Sequence, residues 1–220
     1  MTKIKSLYFG ILFLMISGSI LGQTNKYDVG VEAGPGLIFL WGNDILAKQH
    51  NMTIGGSAGL FFQRNYTNAL SLRTGIAYER KGSVAHTQGY DYLGNPTGEV
   101  KTRVHYNYLT IPILARATFG KNGQFFVNAG PYLGYLLRQA FVTKGNTSNN
   151  TLNNKELDFG LTTGLGFTVP YKTKYAFSFE VRNNLGLFNV SAIPVFNDGA
   201  IRTNSTNFLF GFTYKVGQGS

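Results

Sequence analysis

The stretch Asn207-Phe-Leu-Phe-Gly-Phe-Thr-Tyr-Lys-Val216 alternates between two kinds of side chain. One set is large and apolar: Phe208, Phe210, Phe212, Tyr214 and Val216. The other set is small or polar, with one exception at Leu209: Asn207, Gly211, Thr213 and Lys215. Side chains of a β-strand point alternately to its two faces, so this period of two predicts a strand with one apolar face.

The same alternation recurs along the chain and predicts eight strands in all. Besides the last strand, they lie near 27–40, 53–63, 69–81, 105–119, 124–140, 158–169 and 175–184. Their connections alternate between long polar segments and short turns: 41–52, 64–68, 82–104, 120–123, 141–156, 170–174 and 190–205. An even number of strands with long and short connections at opposite ends is typical of bacterial outer-membrane barrels. We therefore predict an all-β fold, an eight-stranded antiparallel up-and-down transmembrane β-barrel.

A soluble β-sandwich or lipocalin-like barrel would also alternate, so the two faces must be compared. The apolar face of these strands is nearly free of charge, whereas the other face combines glycines with scattered charged residues. A soluble barrel needs charge on its outward face, so the pattern favours the membrane barrel. Aromatic residues near strand ends predict interfacial girdles: Tyr27, Tyr78, Tyr108, Tyr135, Tyr171, Tyr175 and Tyr214.

The first residues are typical of a secretory signal peptide. Lys3 and Lys5 precede a ten-residue apolar run over 7–16, and small residues follow up to Gly22. The alternative, a membrane-spanning helix, would need about 20 apolar residues. We expect residues 1–22 to be a cleaved signal peptide, residues 23–220 to form the barrel domain, and the bacterial outer membrane to be the destination.

Composition excludes some functions and suggests a partner. The chain has no cysteine, which excludes disulfides and thiolate metal sites, and its formal net charge is +10. Export argues against nucleic acid as the target of that charge. We expect a monomer as the default state. We also expect contact with outer-membrane lipid and lipopolysaccharide through the following loop-side cations: Lys48, Lys101, Arg103, Lys144, Lys155 and Arg202.

Four segments resemble a known family. Ala129-Gly-Pro-Tyr-Leu-Gly-Tyr-Leu-Leu137 is similar to the central motif of the PorT-like outer-membrane β-barrel family, often labelled "porin family protein". Ala77-Tyr-Glu-Arg-Lys-Gly82, Tyr106-Asn-Tyr-Leu-Thr-Ile-Pro-Ile113 and Leu157-Asp-Phe-Gly-Leu-Thr-Thr-Gly-Leu-Gly166 agree in order, although Thr110 replaces a usual Glu. The resemblance covers roughly residues 27–216. It implies the barrel architecture and assigns no activity.

Eight strands leave an interior just wide enough for side chains to fill. The predicted inward face carries five acids and five bases: Asp28, Glu32, Arg73, Glu79, Lys81, Arg116, Arg138, Asp158, Glu180 and Arg182. Because isolated buried charges cost several kcal/mol, these residues are expected to pair. We therefore predict a structural network of charges that plugs the lumen.

Candidate chemistry is sparse. The three histidines are His50, His86 and His105, and their separations match no metal-ligand spacing. Ser83 and His86, near Glu79 or Glu99, could imitate the Ser, His and acid of lipid A-modifying barrels. Two such residues on a Gly-rich loop are weak support, so we expect no enzyme, no cofactor and no metal.

Three functions remain open from the sequence. The favoured one is a structural or interaction scaffold whose loops 82–104 and 141–156 meet a surface or envelope protein, because loops on rigid scaffolds tend to carry binding residues. The alternative is a narrow channel for ions or small solutes, which a filled lumen disfavours. A lipid A-modifying enzyme comes third.

Overall fold

The computed structural model describes residues 26–120, 124–195 and 199–216, so the predicted signal peptide over 1–22 lies outside the described residues. Eight long strands occur in this part of the chain: β1 Tyr27–Trp41, β3 Thr53–Asn65, β4 Leu70–Tyr90, β5 Pro96–Phe119, β6 Phe125–Thr143, β8 Leu157–Tyr171, β9 Tyr175–Gly186 and β10 Arg202–Val216. Shorter elements lie between them: helix α1 Asp44–Gln49, strand β2 His50–Asn51, strand β7 Asn146–Asn149 and a 3-10 turn Thr151–Asn153.

The eight long strands close into a ring, which confirms the predicted eight-stranded antiparallel barrel. Each pairs antiparallel with its neighbours in sequence, and β1 pairs with β10 to close the ring. Following paired residues once around the ring from Tyr27 leads back to β1 at Leu37, ten residues further along the strand. This stagger corresponds to strands tilted by about 40° from the barrel axis.

The barrel has two different ends. The short connections 66–69 and 172–174 lie at one end, the turn end, together with the strand ends at Phe119 and Phe125, and the long connections lie at the other, the loop end. Outward residues such as Leu60, Ile76 and Leu165 are apolar and exposed around the wall. They form an apolar belt like that of membrane barrels. In the described part of the chain, no helix has the length and apolar character needed to cross a bilayer.

The segment predicted as the loop 82–104 is mostly strand, so that prediction was wrong. β4 and β5 stay paired from the ring up to Tyr90 and Pro96, and together they form a two-stranded hairpin that we call the ribbon, residues 82–104. β6 and β7 continue the same sheet beside it over 140–149. Between Thr87 and Lys101 the ribbon projects beyond the closed ring and no side chain is buried, and for that reason its sequence resembles a loop.

Candidate functional site

The middle of the lumen holds a network of buried ion pairs. The Arg182 guanidinium donates to both carboxylate oxygens of Glu32 at 2.5 and 3.0 Å, and Arg73 pairs with the same carboxylate. Arg182 also donates to both oxygens of Glu180 at 2.7 and 2.8 Å. Arg116 lies 3.5 Å from Glu180 on its other side. These five side chains come from β1, β4, β5 and β9, so the network ties opposite walls of the barrel together.

A second cluster lies nearer the loop end. Lys81 Nζ donates to Asp158 Oδ2 at 3.0 Å and to the Tyr132 hydroxyl at 2.8 Å. Glu79 lies 3.9 Å from Lys81 and accepts hydrogen bonds from three polar side chains: Asn184, Ser205 and Asn207. Lys81, Glu79 and Asp158 have no exposed surface. Such burial is tolerable only because the charges are paired and hydrogen-bonded.

Almost no free space remains between these side chains. The two described voids in the middle of the lumen measure about 10 Å³ each, room for about one water molecule. Close packing here depends on glycine: a Cβ on Gly160 would lie 2.6 Å from the ring of Tyr132. At the turn end the lumen opens into a cavity of about 210 Å³ whose lining includes Asp28 and Lys215.

An apolar plug closes the lumen at the loop end. Its buried members are Leu40, Leu46, Val104, Tyr106, Tyr108, Leu136 and Val190. Helix α1 inserts Leu46, whose backbone N–H donates to the capping oxygen of Asn43 at 2.9 Å. Tyr108 was predicted in an interfacial girdle, and this is wrong, since its side chain is fully buried inside the barrel.

Arg138 corrects the predicted lumen set. Nine of the ten predicted residues are buried inside the barrel, but Arg138 is exposed on the outer face. The reason is a β-bulge: Tyr108 pairs with Leu136 while Asn107 pairs with Arg138, so Leu137 is an extra residue. One extra residue reverses the facing of everything beyond it. Of the ten predicted residues, the lumen therefore holds five acids and four bases.

The structure does not bring Ser83 and His86 together as a catalytic pair. His86 pairs with Glu99 on the ribbon, while Ser83 Oγ lies 2.7 Å from His50 Nδ1 instead. Ser83 is fully buried, so a substrate could not reach its hydroxyl. Burial lowers the pKa of His50. No group of three or more His, Asp or Glu side chains suited to a metal occurs among the described residues.

The tip of the ribbon, residues 90–95, is a structured turn. Asp91 Oδ1 accepts hydrogen bonds from the backbone N–H groups of Leu93 and Asn95 at 2.9 and 2.8 Å. The hydrogen bonds with Asn95 hold the pKa of Asp91 below its usual value. Tyr92 and Leu93 are 95% and 70% exposed. The turn thus holds two apolar side chains in water at the point furthest from the barrel.

Sequence reasoning missed both the bulge and the ribbon. The bulge has a signal, because Tyr135, Leu136 and Leu137 form an apolar run that interrupts strict alternation. The ribbon has a weaker one, since Val84, Val100 and Val104 are β-branched residues in a segment otherwise rich in turn-forming residues. Neither signal indicates by itself which face a side chain occupies.

Residues 21–192 match the sequence model of the family described as "Outer membrane protein beta-barrel domain". No curated protein matches the chain.

Solved structures of small outer-membrane barrels are similar to it. Neisserial surface protein A has 13% identity and a TM-score of 0.48, with 89% of this chain and 99% of that chain covered. Outer membrane protein W of E. coli has 12% identity and a TM-score of 0.42, with 89% and 100% covered. Ail of Yersinia pestis has 8% identity and a TM-score of 0.38, with 86% and 98% covered. Identities this low carry no inference about function.

Proposed function

Because the chain belongs to the outer membrane protein beta-barrel domain family, we propose that it is a closed barrel that displays its ribbon to a protein partner outside the cell. The barrel lies in an outer membrane. Barrels of this kind place short turns in the periplasm and long loops outside, so the turn end faces the periplasm and the loop end faces the exterior. The chain acts as a monomer and carries no enzymatic activity in this proposal.

The filled lumen is the observation that carries the proposal. A diffusing solute would have to pass three layers in turn. These are the apolar plug, the cluster of buried charges around Lys81 and the network of ion pairs around Glu32 in the middle of the lumen. Opening any of these layers would separate paired buried charges or expose apolar surface, and both cost several kcal/mol. This supports closure and disfavours the alternative of a narrow channel.

The tip of the ribbon supports display. Tyr92 and Leu93 are held by the Asp91 turn, so little conformational freedom is lost when a partner covers them. Exposed aromatic side chains on a rigid element are typical anchors of protein interfaces. We therefore propose residues 90–95 as the contact surface.

Surface labelling tests this orientation. Because the native chain has no cysteine, a thiol-reactive label modifies the introduced cysteine alone. Tyr92→Cys should react with a membrane-impermeant maleimide on intact cells. The matched variant Thr173→Cys, at the turn end, should react only after the outer membrane is permeabilised. Labelling of Thr173→Cys but not Tyr92→Cys on intact cells would refute the proposed display.

Planar-bilayer recording tests closure. The folded protein should give no stable conductance steps in a bilayer where a reference porin conducts. Stable large steps from the folded wild type would establish the channel alternative.

The finer placement in the PorT-like branch is also a proposal. It is supported by the four motifs quoted above, of which the segment 129–137 contributes Tyr132 to the lumen and Leu136 to the plug. The signal-peptide route of export belongs to the same proposal. N-terminal sequencing of the mature protein should begin near Gln23, and an uncleaved Met1 would contradict it.

A further inference from the structure

A patch of unpaired arginines lies on the outer wall at the loop end. Arg80, Asn107 and Arg138 face outward side by side on β4, β5 and β6, because Asn107 is the register partner of both arginines. Arg80 Nε donates to Asn107 Oδ1 at 3.3 Å. Arg103 follows four residues further along β5 and is also exposed. We call Arg80, Arg103 and Arg138 the arginine patch.

The arginine patch lies just beyond the apolar belt. Tyr78 lies on β4 two residues before Arg80, nearer the turn end, and is an exposed aromatic residue on the same face. On β6 the exposed Leu137 directly precedes Arg138, and the exposed Tyr135 lies two residues before Leu137. Tyrosine rings at this height are typical of the membrane–water interface. The guanidinium groups therefore lie at the depth of lipid head groups.

No acidic side chain neutralises the patch. Within the described residues, no carboxylate comes within 4.0 Å of any of the three guanidinium groups. On the ribbon Glu99 is already paired with His86. Glu156, whose backbone oxygen accepts from Leu136 N–H beside the bulge, has no ion-pair partner in the described part of the chain.

We propose that the arginine patch binds phosphate groups of lipopolysaccharide in the outer leaflet. Guanidinium groups pair with phosphate through two parallel hydrogen bonds, which makes arginine well suited to this ligand. The acyl chains of the same lipid would lie against Tyr78 and the belt below it. A lipid that carries both phosphate and acyl chains fits this boundary better than a free anion, which would use only the charge.

The site depends on the bulge at Leu137. Without the extra residue Arg138 would face the lumen, and the patch would lose one of its arginines. The bulge therefore places a cation at the lipid surface that regular alternation would bury.

The inference rests on the proposed orientation, in which the loop end meets the outer leaflet. Binding to lipid in micelles does not depend on orientation, whereas the labelling of Tyr92→Cys does. If the labelling test fails but lipid binds, the arginine patch is a lipid site that faces the wrong leaflet. If lipid does not bind, the proposal that the ribbon is displayed outside the cell is unaffected.

The test is a titration of refolded protein in neutral maltoside micelles with diphosphorylated lipid A, followed by native mass spectrometry. The variant pair Arg80→Gln/Arg138→Gln should weaken binding by about tenfold for each arginine removed. The matched pair Arg64→Gln/Lys174→Gln removes the same charge at the turn end and should bind like wild type. Asn107→Asp places a carboxylate between the two arginines and should also weaken binding.

Four results would overturn the proposal. The first is wild-type affinity in both Arg80→Gln/Arg138→Gln and Asn107→Asp. The second is equal affinity for lipid A from which the phosphates have been removed. The third is equal competition by inorganic phosphate at the same concentration, which would show a site for phosphate alone. Equal weakening by the turn-end pair would reduce the effect to net charge and would also overturn it.

Discussion

The wall of the closed ring and the ribbon have the same strand geometry but differ in the burial and pairing of their charged side chains. Inside the ring, Glu32 and Arg182 are buried and joined by two hydrogen bonds. On the ribbon, Arg103 is exposed and has no acidic partner among the described residues. The strands are continuous between the two regions, so backbone pairing does not explain the difference. Closure of the ring explains why its inward charges are buried and paired, because closure removes water from the inner face of the strands.

This difference separates stability from recognition. In the ring, a charged side chain that points inward needs a partner, since water is excluded from it. Exposed side chains of the ribbon such as Tyr92 and Arg103 contact water instead, so they are free to meet other molecules. Substitutions of buried ring residues should therefore change folding, and substitutions of exposed ribbon residues should leave folding intact.

The largest effect is expected at Glu32. Glu32→Gln leaves Arg73 and Arg182 buried with an incomplete set of partners and should lower the free energy of unfolding by about 3–5 kcal/mol. Urea unfolding in lipid vesicles, followed by the loss of heat-modifiable migration, measures it. Glu99→Gln removes the same charge on the ribbon and should leave the midpoint unchanged. Equal effects of the two variants would show that closure does not distinguish the regions.

A smaller effect is expected on the outer face of the ring. Leu165 is 63% exposed on the apolar belt, and Leu165→Arg should cost about 2–4 kcal/mol because it places a charge in hydrocarbon. Leu152 is even more exposed, at 97%, but lies beyond the ring, so Leu152→Arg should cost nothing measurable. Vesicle unfolding midpoints compare the two. If Leu165→Arg unfolds like wild type, the proposed facing of β8 is wrong.

The sequence predicted the ring well because closure constrains its residues strongly. Each ring strand must be apolar on one face, so alternation over 207–216 or 158–169 identifies both the strand and its orientation. The pairing of opposite charges across the lumen was also predictable in kind, since buried charges require it. The actual partners, such as Arg182 with both Glu32 and Glu180, depend on register and stagger, which alternation does not encode.

The sequence predicted the ribbon poorly for the complementary reason. Between Thr87 and Lys101 no side chain is buried, so no selection for an apolar face marks this part of the ribbon as strand. Arg138 lies at the transition, where the ring no longer excludes water and one extra residue is tolerated. The assignment of Arg138 to the lumen assumed strict alternation up to the end of β6. The one residue that breaks this rule is also one that completes the arginine patch.

The smallest effect tests the attachment of the loop end to the ribbon. β2 pairs with Val84 and Ala85 of β4, and His50 Nδ1 lies 2.7 Å from Ser83 Oγ. Burial holds the pKa of His50 below 6.5, so the folded state binds fewer protons than the unfolded chain at this residue. This contribution to stability is therefore present above about pH 6.5 and is lost as the pH falls through the lowered pKa.

Acidification should thus loosen β2 from the ribbon while the ring stays closed. Hydrogen exchange should show faster exchange at the β2 amides of the wild type below pH 6, whereas β9 amides in the ring should keep their protection. His50→Gln removes the titrating group and should remove this acceleration, once the intrinsic pH dependence of exchange is subtracted. If β2 and β9 lose protection together, the ribbon and the ring unfold as one unit, and the distinction between a structural wall and an adaptable extension fails.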